Sequence, residues 1–224
     1  NSRNLYIGRA DPSYAGYFFD GQIDDVRIYK RALSAVEIRE LYGSPPPAAV
    51  YHIDGVAGND SNDGLSRETA FKTIQKGIDA SEDGDEVVVW PGLYQEAINF
   101  KGKAIAVKSA AEPAVIEAAG MDAVTFHAGE GPGSVLKNFI IRNSGMAVST
   151  NYGSSPTIRS LTIVNNDFGI GAYEDSDPNI SNCIIWDNKY GDLFGCEARY
   201  SWVQQELEPD LEDPNGGLVS HWAF

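Results

Sequence analysis

The sequence predicts a mainly β chain whose larger part is a parallel β-solenoid, on three observations. The first is a repeat. Leu136-Lys-Asn-Phe139-Ile-Ile141-Arg-Asn143, Ile158-Arg-Ser-Leu161-Thr-Ile163-Val-Asn165 and Ile180-Ser-Asn-Cys183-Ile-Ile185-Trp-Asp187 align with a step of 22 (158 − 136 and 180 − 158). Ala147, Gly169 and Gly191 keep the same step. A period in the twenties belongs to stacked coils, none of which can bury its apolar side alone. The second is composition: the runs are short, β-branched and broken by Gly, Pro, Asn and Asp, which suits strands and not helical repeats. The third is alternation. It sets Phe139/Leu161/Cys183 and Ile141/Ile163/Ile185 inward, and Ile140/Thr162/Ile184 and Arg142/Val164/Trp186 outward. Asn143, Asn165 and Asp187 fall on the inward side, at corners where their side chains can bond neighbouring coils.

Residues 1–47 read as strand, hairpin, helix. Leu5–Ile7 is a short strand, and Tyr17–Phe19 with Ile23–Tyr29 forms a hairpin around Asp20-Gly21. Ser34 caps a helix with Glu37 three residues on, a capping box. Val36, Ile38, Leu41 and Tyr42 give that helix an apolar side, and Gly43 stops it. Pro45, Pro46 and Pro47 make a stiff linker, the clearest domain boundary in the chain. In the solenoid, residues 48–205, a helix is expected over Ser66–Ala80, with Phe71, Ile74 and Ile78 on one face. Strands are expected at Val87–Trp90, Ile105–Val107, Val115–Ile116, Val124–Phe126, Val135–Ile141, Thr157–Ile163, Asn179–Ile185 and Arg199–Val203, which makes about five or six coils. Residues 206–224 are an acidic, turn-rich tail whose apolar end, Leu218–Phe224, is expected to dock over the open end of the stack.

Two strings carry a family resemblance. Gly58-Asn-Asp60-Ser-Asn62-Asp63-Gly64, then Ala70-Phe-Lys-Thr-Ile-Gln75, then Gly84-Asp-Glu-Val-Val-Val-Trp-Pro-Gly-Leu-Tyr-Gln-Glu96 resembles the entry module of pectate-lyase-like right-handed parallel β-helix proteins, over about residues 51–205. That resemblance implies a right-handed coil with an amphipathic helix plugging its N-terminal end. Gly21-Gln-Ile-Asp-Asp-Val-Arg-Ile-Tyr29, Arg31-Ala-Leu-Ser34 and Glu37-Ile-Arg-Glu-Leu-Tyr42 resembles the last strands and closing helix of a concanavalin A-like, laminin-G-like jelly roll, over about residues 4–43. The rest of such a sandwich is not in this sequence, so none of its ligand loops carries over. A lone sheet fragment with open edges is expected to pack on the solenoid or on a second copy of the chain.

Charge narrows the function. Residues 1–47 hold six basic and six acidic groups, so the remaining 11 basic and 26 acidic groups carry the whole net charge of −15. Such a surface disfavours nucleic acid, anionic membranes and, unless bound cations intervene, acidic polysaccharide. No apolar run is long enough to span a membrane. The chain contains no P-loop, dinucleotide fingerprint, Ser/His/Asp order or zinc pattern. Cys183 reads as a buried thiol, with pairing to Cys196 left open.

Together these features point to a module of a longer secreted protein that holds, and in one reading cleaves, polysaccharide. A glycosidase needs two carboxylates flanking the scissile bond. Asp167, Glu174, Asp175, Asp177 and Asp187 are the candidates, and the same residues also suit solvated turns. Uronate elimination is disfavoured, because Arg142, Arg159, Lys189 and Arg199 are not clustered at one column (Arg142 aligns with Val164 and Trp186, Arg159 with Lys137), and no basic site has a neighbouring acidic calcium cage. Trp186, Tyr173 and Tyr190 are candidate sugar platforms, with Asn165 bonding hydroxyls. Asp60, Asn62 and Asp63 alternate oxygen ligands in a Gly-ended loop, which suits Ca²⁺ or a structural turn. The alternative to a glycan-processing module is a non-catalytic adhesion or structural module.

Overall fold

The structure is a computed structural model that describes residues 26–34, 37, 38, 41 and 47–204. The chain divides into two compact units, Asn1–Pro47 and Ala48–Phe224. In the first unit the capping box forms. The Ser34 N–H donates to Glu37 Oε2 at 2.8 Å, and the Glu37 N–H donates back to Ser34 Oγ at 3.3 Å. The Arg31 guanidinium grips the same carboxylate and, with the Ser34 bonds, pulls its pKa down to about 2. The expected strands Leu5–Ile7 and Tyr17–Phe19 lie outside the described residues. Of the expected Ile23–Tyr29, the described part (26–29) carries no regular element.

The second unit is a parallel β-solenoid. It opens with β1 (Val50–Ile53) and a short helix α1 (Ile74–Ala80). Five complete coils of three strands follow. The first is β2 (Glu86–Val89), β3 (Leu93–Tyr94) and β4 (Ile98–Asn99). The second is β5 (Ala106–Ser109), β6 (Ala114–Ile116) and β7 (Val124–Phe126). The third is β8 (Val135–Lys137), β9 (Phe139–Ile141) and β10 (Met146–Thr150). The fourth is β11 (Thr157–Arg159), β12 (Thr162–Val164) and β13 (Phe168–Ala172). The fifth is β14 (Asn179–Ser181), β15 (Ile184–Trp186) and β16 (Leu193–Phe194). A sixth coil begins with β17 (Ala198–Arg199) and β18 (Trp202–Val203). They stack into three parallel sheets: sheet 1 is β1-β2-β5-β8-β11-β14-β17, sheet 2 is β3-β6-β9-β12-β15-β18, and sheet 3 is β4-β7-β10-β13-β16.

The core is the set of inward columns. Val87/Val107/Leu136/Ile158/Ile180 line sheet 1, Ile116/Ile141/Ile163/Ile185 line sheet 2, and Val124/Val148/Ile170 line sheet 3, all buried. Cys183 stacks in this interior as a free thiol, and Cys196 is also free. Each inward side chain meets its equivalent one coil away, at the strand spacing of about 4.8 Å. The predicted inward and outward columns hold. The predicted strands Val135–Ile141, Thr157–Ile163 and Asn179–Ile185 do not run through. Asn138, Ser160 and Asn182 sit at φ 64°, 55° and 54°, so the chain turns a corner there and each run becomes two strands. Of the third strands, the expected Val124–Phe126 is found as β7. The sequence reading missed those of the later coils (β10, β13, β16), where Gly and small polar residues blur the alternation, and also β1, β3 and β4.

The corner ladder stands one residue later than the repeat suggested. Asn143, Asn165 and Asp187 are left-handed, at φ 53°, 56° and 56°, and their side chains face solvent instead of sharing the inward side with Phe139 and Ile141. Asn tolerates this conformation better than most residues. The buried ladder is Ser144/Asn166/Asn188. Asn166 Oδ1 accepts the Ser144 N–H at 3.1 Å, while its Nδ2 donates to the Ile141 carbonyl at 3.1 Å and to Asn188 Oδ1 at 2.9 Å. Asn188 Oδ1 accepts the Asn166 N–H, and its Nδ2 donates to Asp192 Oδ1 at 2.6 Å.

A second buried staple closes the corner between sheets 3 and 1. Glu130 accepts from the Gly102 N–H, the Ala128 N–H and Ser154 Oγ, each at 2.8 Å. Burial pushes this carboxyl up, but the Ala128 and Gly102 backbone bonds, its own N–H and Ser154 outweigh it. Its pKa lies below the usual carboxylate range.

The N-terminal plug is smaller than the expected Ser66–Ala80. Asp60 Oδ1 accepts the Lys72 and Thr73 N–H groups and holds them outside the helix, so α1 starts after Thr73, whose side chain caps Lys76 N–H. Phe71 instead bridges to Ile53 and stacks against Tyr51. Ile74, Gly77 and Ile78 face the coils. A Cβ on Gly77 would lie 2.5 Å from Ile53 Cδ1 and 2.9 Å from Val87 Cγ1, so glycine lets the helix settle directly on β1 and β2. Glu96 anchors the helix start by accepting the Ile74 and Gln75 N–H groups at 2.8 and 3.0 Å.

Two outcomes follow from the staples. Asn166→Ala strands the Ser144 N–H and the Ile141 carbonyl in the interior and should cost roughly 2–4 kcal/mol in urea unfolding. Asn165→Gly, one residue away but exposed and left-handed, should change stability by no more than about 0.5 kcal/mol. For Glu130 the folded pKa is depressed, so its contribution is complete above the unfolded value of about 4.3 and is lost as pH falls through the folded one. Glu130→Gln should therefore lose about 1–3 kcal/mol at neutral pH, and the gap from the parent should narrow in unfolding curves taken below about pH 4.

Candidate functional site

The fold turns sequence register into surface columns, because equivalent positions of successive coils lie side by side. On the outward face of sheet 2, Leu93, Val115, Ile140, Thr162, Ile184 and Trp202 form one such column. Val164 and Trp186 stand beside its last part. The column ends in an exposed aromatic patch: Ile184 is 51% exposed, Trp186 43% and Trp202 52%. The two indoles lean on each other with centroids 6.3 Å apart and planes at 56°. At the other end of the sheet, Arg142 Nε meets Glu117 Oε1 at 2.8 Å.

The remaining candidate residues divide between two corners. Asp167, Asp187, Asn165 and Tyr190 lie on the corner between sheets 2 and 3. Tyr190 packs on Phe168 with ring centroids 5.1 Å apart, and Lys189 Nζ sits 4.5 Å above the Tyr190 ring. Glu174, Asp175 and Asp177 lie on the corner between sheets 3 and 1, beyond Tyr173, whose ring folds back over Gly171 towards Met146. β13 separates the two groups. At ~3.3 Å per residue, Asp167 and Glu174 are roughly 20 Å apart along the strand. A carboxylate pair that flanks a glycosidic bond spans about 5–10 Å, so no acid of one corner can partner one of the other. Within each corner the acids are turn residues, exposed except for the half-buried Asp167, and Glu174, Asp175 and Asp187 have left-handed backbones (φ 52°, 59° and 56°). The structure therefore does not assemble Asp167, Glu174, Asp175, Asp177 and Asp187 into one constellation. Trp186 also stands apart from Tyr173 and Tyr190, each of which is on a different corner.

The loop proposed for calcium is engaged by the chain itself. Asp60 takes three donors: Lys72 N–H at 2.8 Å, Thr73 N–H at 3.0 Å and Thr73 Oγ1 at 3.0 Å. Asp63 Oδ1 accepts from Thr69 Oγ1 at 2.6 Å and from the Leu65 N–H at 3.0 Å, and Asn62 Nδ2 donates to the Ala70 carbonyl at 3.0 Å. Oxygens facing N–H and O–H donors fit a folded turn and not a cation cage. Among the described residues no three His, Cys, Asp or Glu side chains gather at metal-binding range.

A cleft of about 610 Å³ opens at the corner between sheets 3 and 1, lined among others by Asp177, Asn179, Cys196, Glu197 and Arg199. Burial, helped by Asp177, pushes the Cys196 thiol up to about 11, so it is no nucleophile at neutral pH. The sequence could not have shown this cleft, because the last coil takes only 18 residues from Ile180 to Ala198 where the coil before takes 22 from Ile158 to Ile180.

Comparison with known families agrees with these coordinates. Residues 1–39 match the Concanavalin A-like lectin/glucanases superfamily, and residues 99–203 match the family described as Right handed beta helix region. No curated protein matches the chain. Residues 99–203 thus match a right-handed β-helix family within the part of the chain that folds as a parallel solenoid, and residues 1–39 are similar to concanavalin A-like domains.

Proposed function

We propose that this chain is a polysaccharide-binding module of a secreted protein, and that it binds without cleaving. The observation that carries this reading is the exposed Trp186–Trp202 pair beside Ile184 on sheet 2. Sugar rings present C–H faces that lie on indole planes, and an aromatic pair held on rigid strands loses little conformational freedom on binding. The parallel β-helix supports the reading, since its length offers an extended surface to a polymer. The separation of the acidic residues between two corners supports binding over hydrolysis.

The test is retardation in native gels containing a panel of polysaccharides, with reducing-end release and absorbance of unsaturated products followed in parallel. Retardation without products is expected. Trp186→Ala should weaken it about tenfold, the equivalent of the ~1.4 kcal/mol that an aromatic contact can supply. Turnover abolished by Asp187→Asn or Asp175→Asn would overturn the non-catalytic reading, and retention by none of the polysaccharides would overturn the binding reading.

A further inference from the structure

The outward face of sheet 1 carries a second column, and its chemistry is different. Register places Lys108 beside Lys137, Lys137 beside Arg159, Arg159 beside Ser181, and Ser181 beside Arg199. Four of five successive coils thus present a base at one position, in a chain whose net charge is −15. At about 4.8 Å per step the column is roughly 19 Å long and parallel to the solenoid axis.

Three of these four bases are not matched to a carboxylate of the protein among the described residues. Lys108 meets Glu86 at 2.6 Å. Lys137, Arg159 and Arg199 have no acidic partner among the described residues, whereas Arg142 and Lys101 are each matched to a carboxylate. The neighbouring outward column is neutral beside Lys108, Lys137 and Arg159 (Ala106, Val135 and Thr157) and acidic only at its ends, where Glu86 pairs with Lys108 and Glu197 stands next to Arg199. With 26 acidic groups after residue 47, none occupies the three neutral places. Like charges directly opposite one another on paired strands are destabilising. The column is therefore a standing electrostatic cost that a bound anion would relieve.

We infer that sheet 1 binds a linear anionic glycan, laid along the solenoid axis with its carboxylate or sulfate groups against Lys108, Lys137, Arg159 and Arg199. The inference rests on the reading of the chain as a polysaccharide binder and adds both a second face and the charge of the ligand. A nucleic acid fits less well. The acidic remainder of the surface repels either polyanion, but this column offers no aromatic rings on which bases could stack.

The test variant is Lys137→Ser combined with Arg159→Ser. Serine already stands in this column at position 181, so the coil accommodates it. Gel retardation of the full chain would be measured with a polyuronate, a sulfated glycan, a neutral glucan and single-stranded DNA, in about 50 mM and about 300 mM salt. The expected result is retardation by the polyuronate, the sulfated glycan or both, weakened about tenfold by the double substitution and by the higher salt, with Trp186→Ala leaving the salt dependence intact. The first two arms tell carboxylate from sulfate. The double variant should unfold at the same or a higher urea concentration than the parent, which excludes misfolding as the cause of weaker binding. Anionic retardation untouched by the double substitution would overturn the inference. So would DNA binding equal to glycan binding, or retention of the neutral glucan alone. In the last case the binder reading survives, whereas retention by nothing in the panel sinks both.

Discussion

A coil of this chain has no interior of its own. Each of its three strands contributes only one or two inward side chains, and those side chains find partners one coil up and one coil down. Val107 on Leu136 on Ile158 on Ile180 is one protein interior, built by repetition along an axis. The constraint that follows is geometric. Corners must recur at the same place in every coil, or the columns fall out of line. Left-handed residues turn the chain at 138/160/182 and again at 143/165/187, and the buried Ser144/Asn166/Asn188 ladder satisfies the backbone groups that the second corner would otherwise leave unbonded.

The ends of the stack face the opposite problem, since an end coil has a partner on one side only. At the start, α1 covers the open coil, held by Asp60 on one side and Glu96 on the other. Both carboxylates accept backbone N–H groups at the helix start. The cost of burying Glu96 shows in its raised pKa, which desolvation drives up and the Gln75 and Ile74 N–H groups only partly restrain. The same accounting explains the loop of Asp60, Asn62 and Asp63: the two carboxylates accept backbone and hydroxyl donors, and Asn62 donates to the Ala70 carbonyl.

The regular middle of the fold was legible in the sequence because three coils keep one length. The 22-residue step named every inward residue of sheets 1 and 2 between Leu136 and Ile185. What it blurred were the corners. Asn165 and Asn166 both recur at the same step, as do their neighbours in the coils before and after, so periodicity alone cannot tell the exposed left-handed corner from the buried ladder. Only the backbone angles separate them. Sheet 3 was harder for another reason: Phe168–Ala172 includes Gly169 and Gly171, so hydrophobic alternation vanishes there although the hydrogen-bond register persists. The irregular coils hid the most. Ala106 aligns with Val135 across 29 residues, and Glu86 with Ala106 across 20. The 22-residue step sets Lys137 against Arg159 and Ser181, but no fixed step relates Lys108 to Lys137 or Ser181 to Arg199, so the full basic column emerged only when the strands were paired.

The separation of core from surface gives this architecture its functional latitude. Along every strand the pleat alternates, so a residue that faces solvent can change without disturbing the column behind it. Sheet 2 has used that freedom for an apolar stripe ending in two indoles, and sheet 1 for stacked bases. The two faces share one core yet present unlike chemistry. The corners, by contrast, are constrained: they must bend, and Asn, Asp and Ser are chosen there for backbone conformation and local hydrogen bonds. Acidic residues at solenoid corners are therefore weak evidence of catalysis, because the fold alone accounts for them. Stacked bases on a flat strand face, or exposed indoles on the next one, answer no need of the fold. That asymmetry is why the proposed binding surfaces are on faces and not on corners.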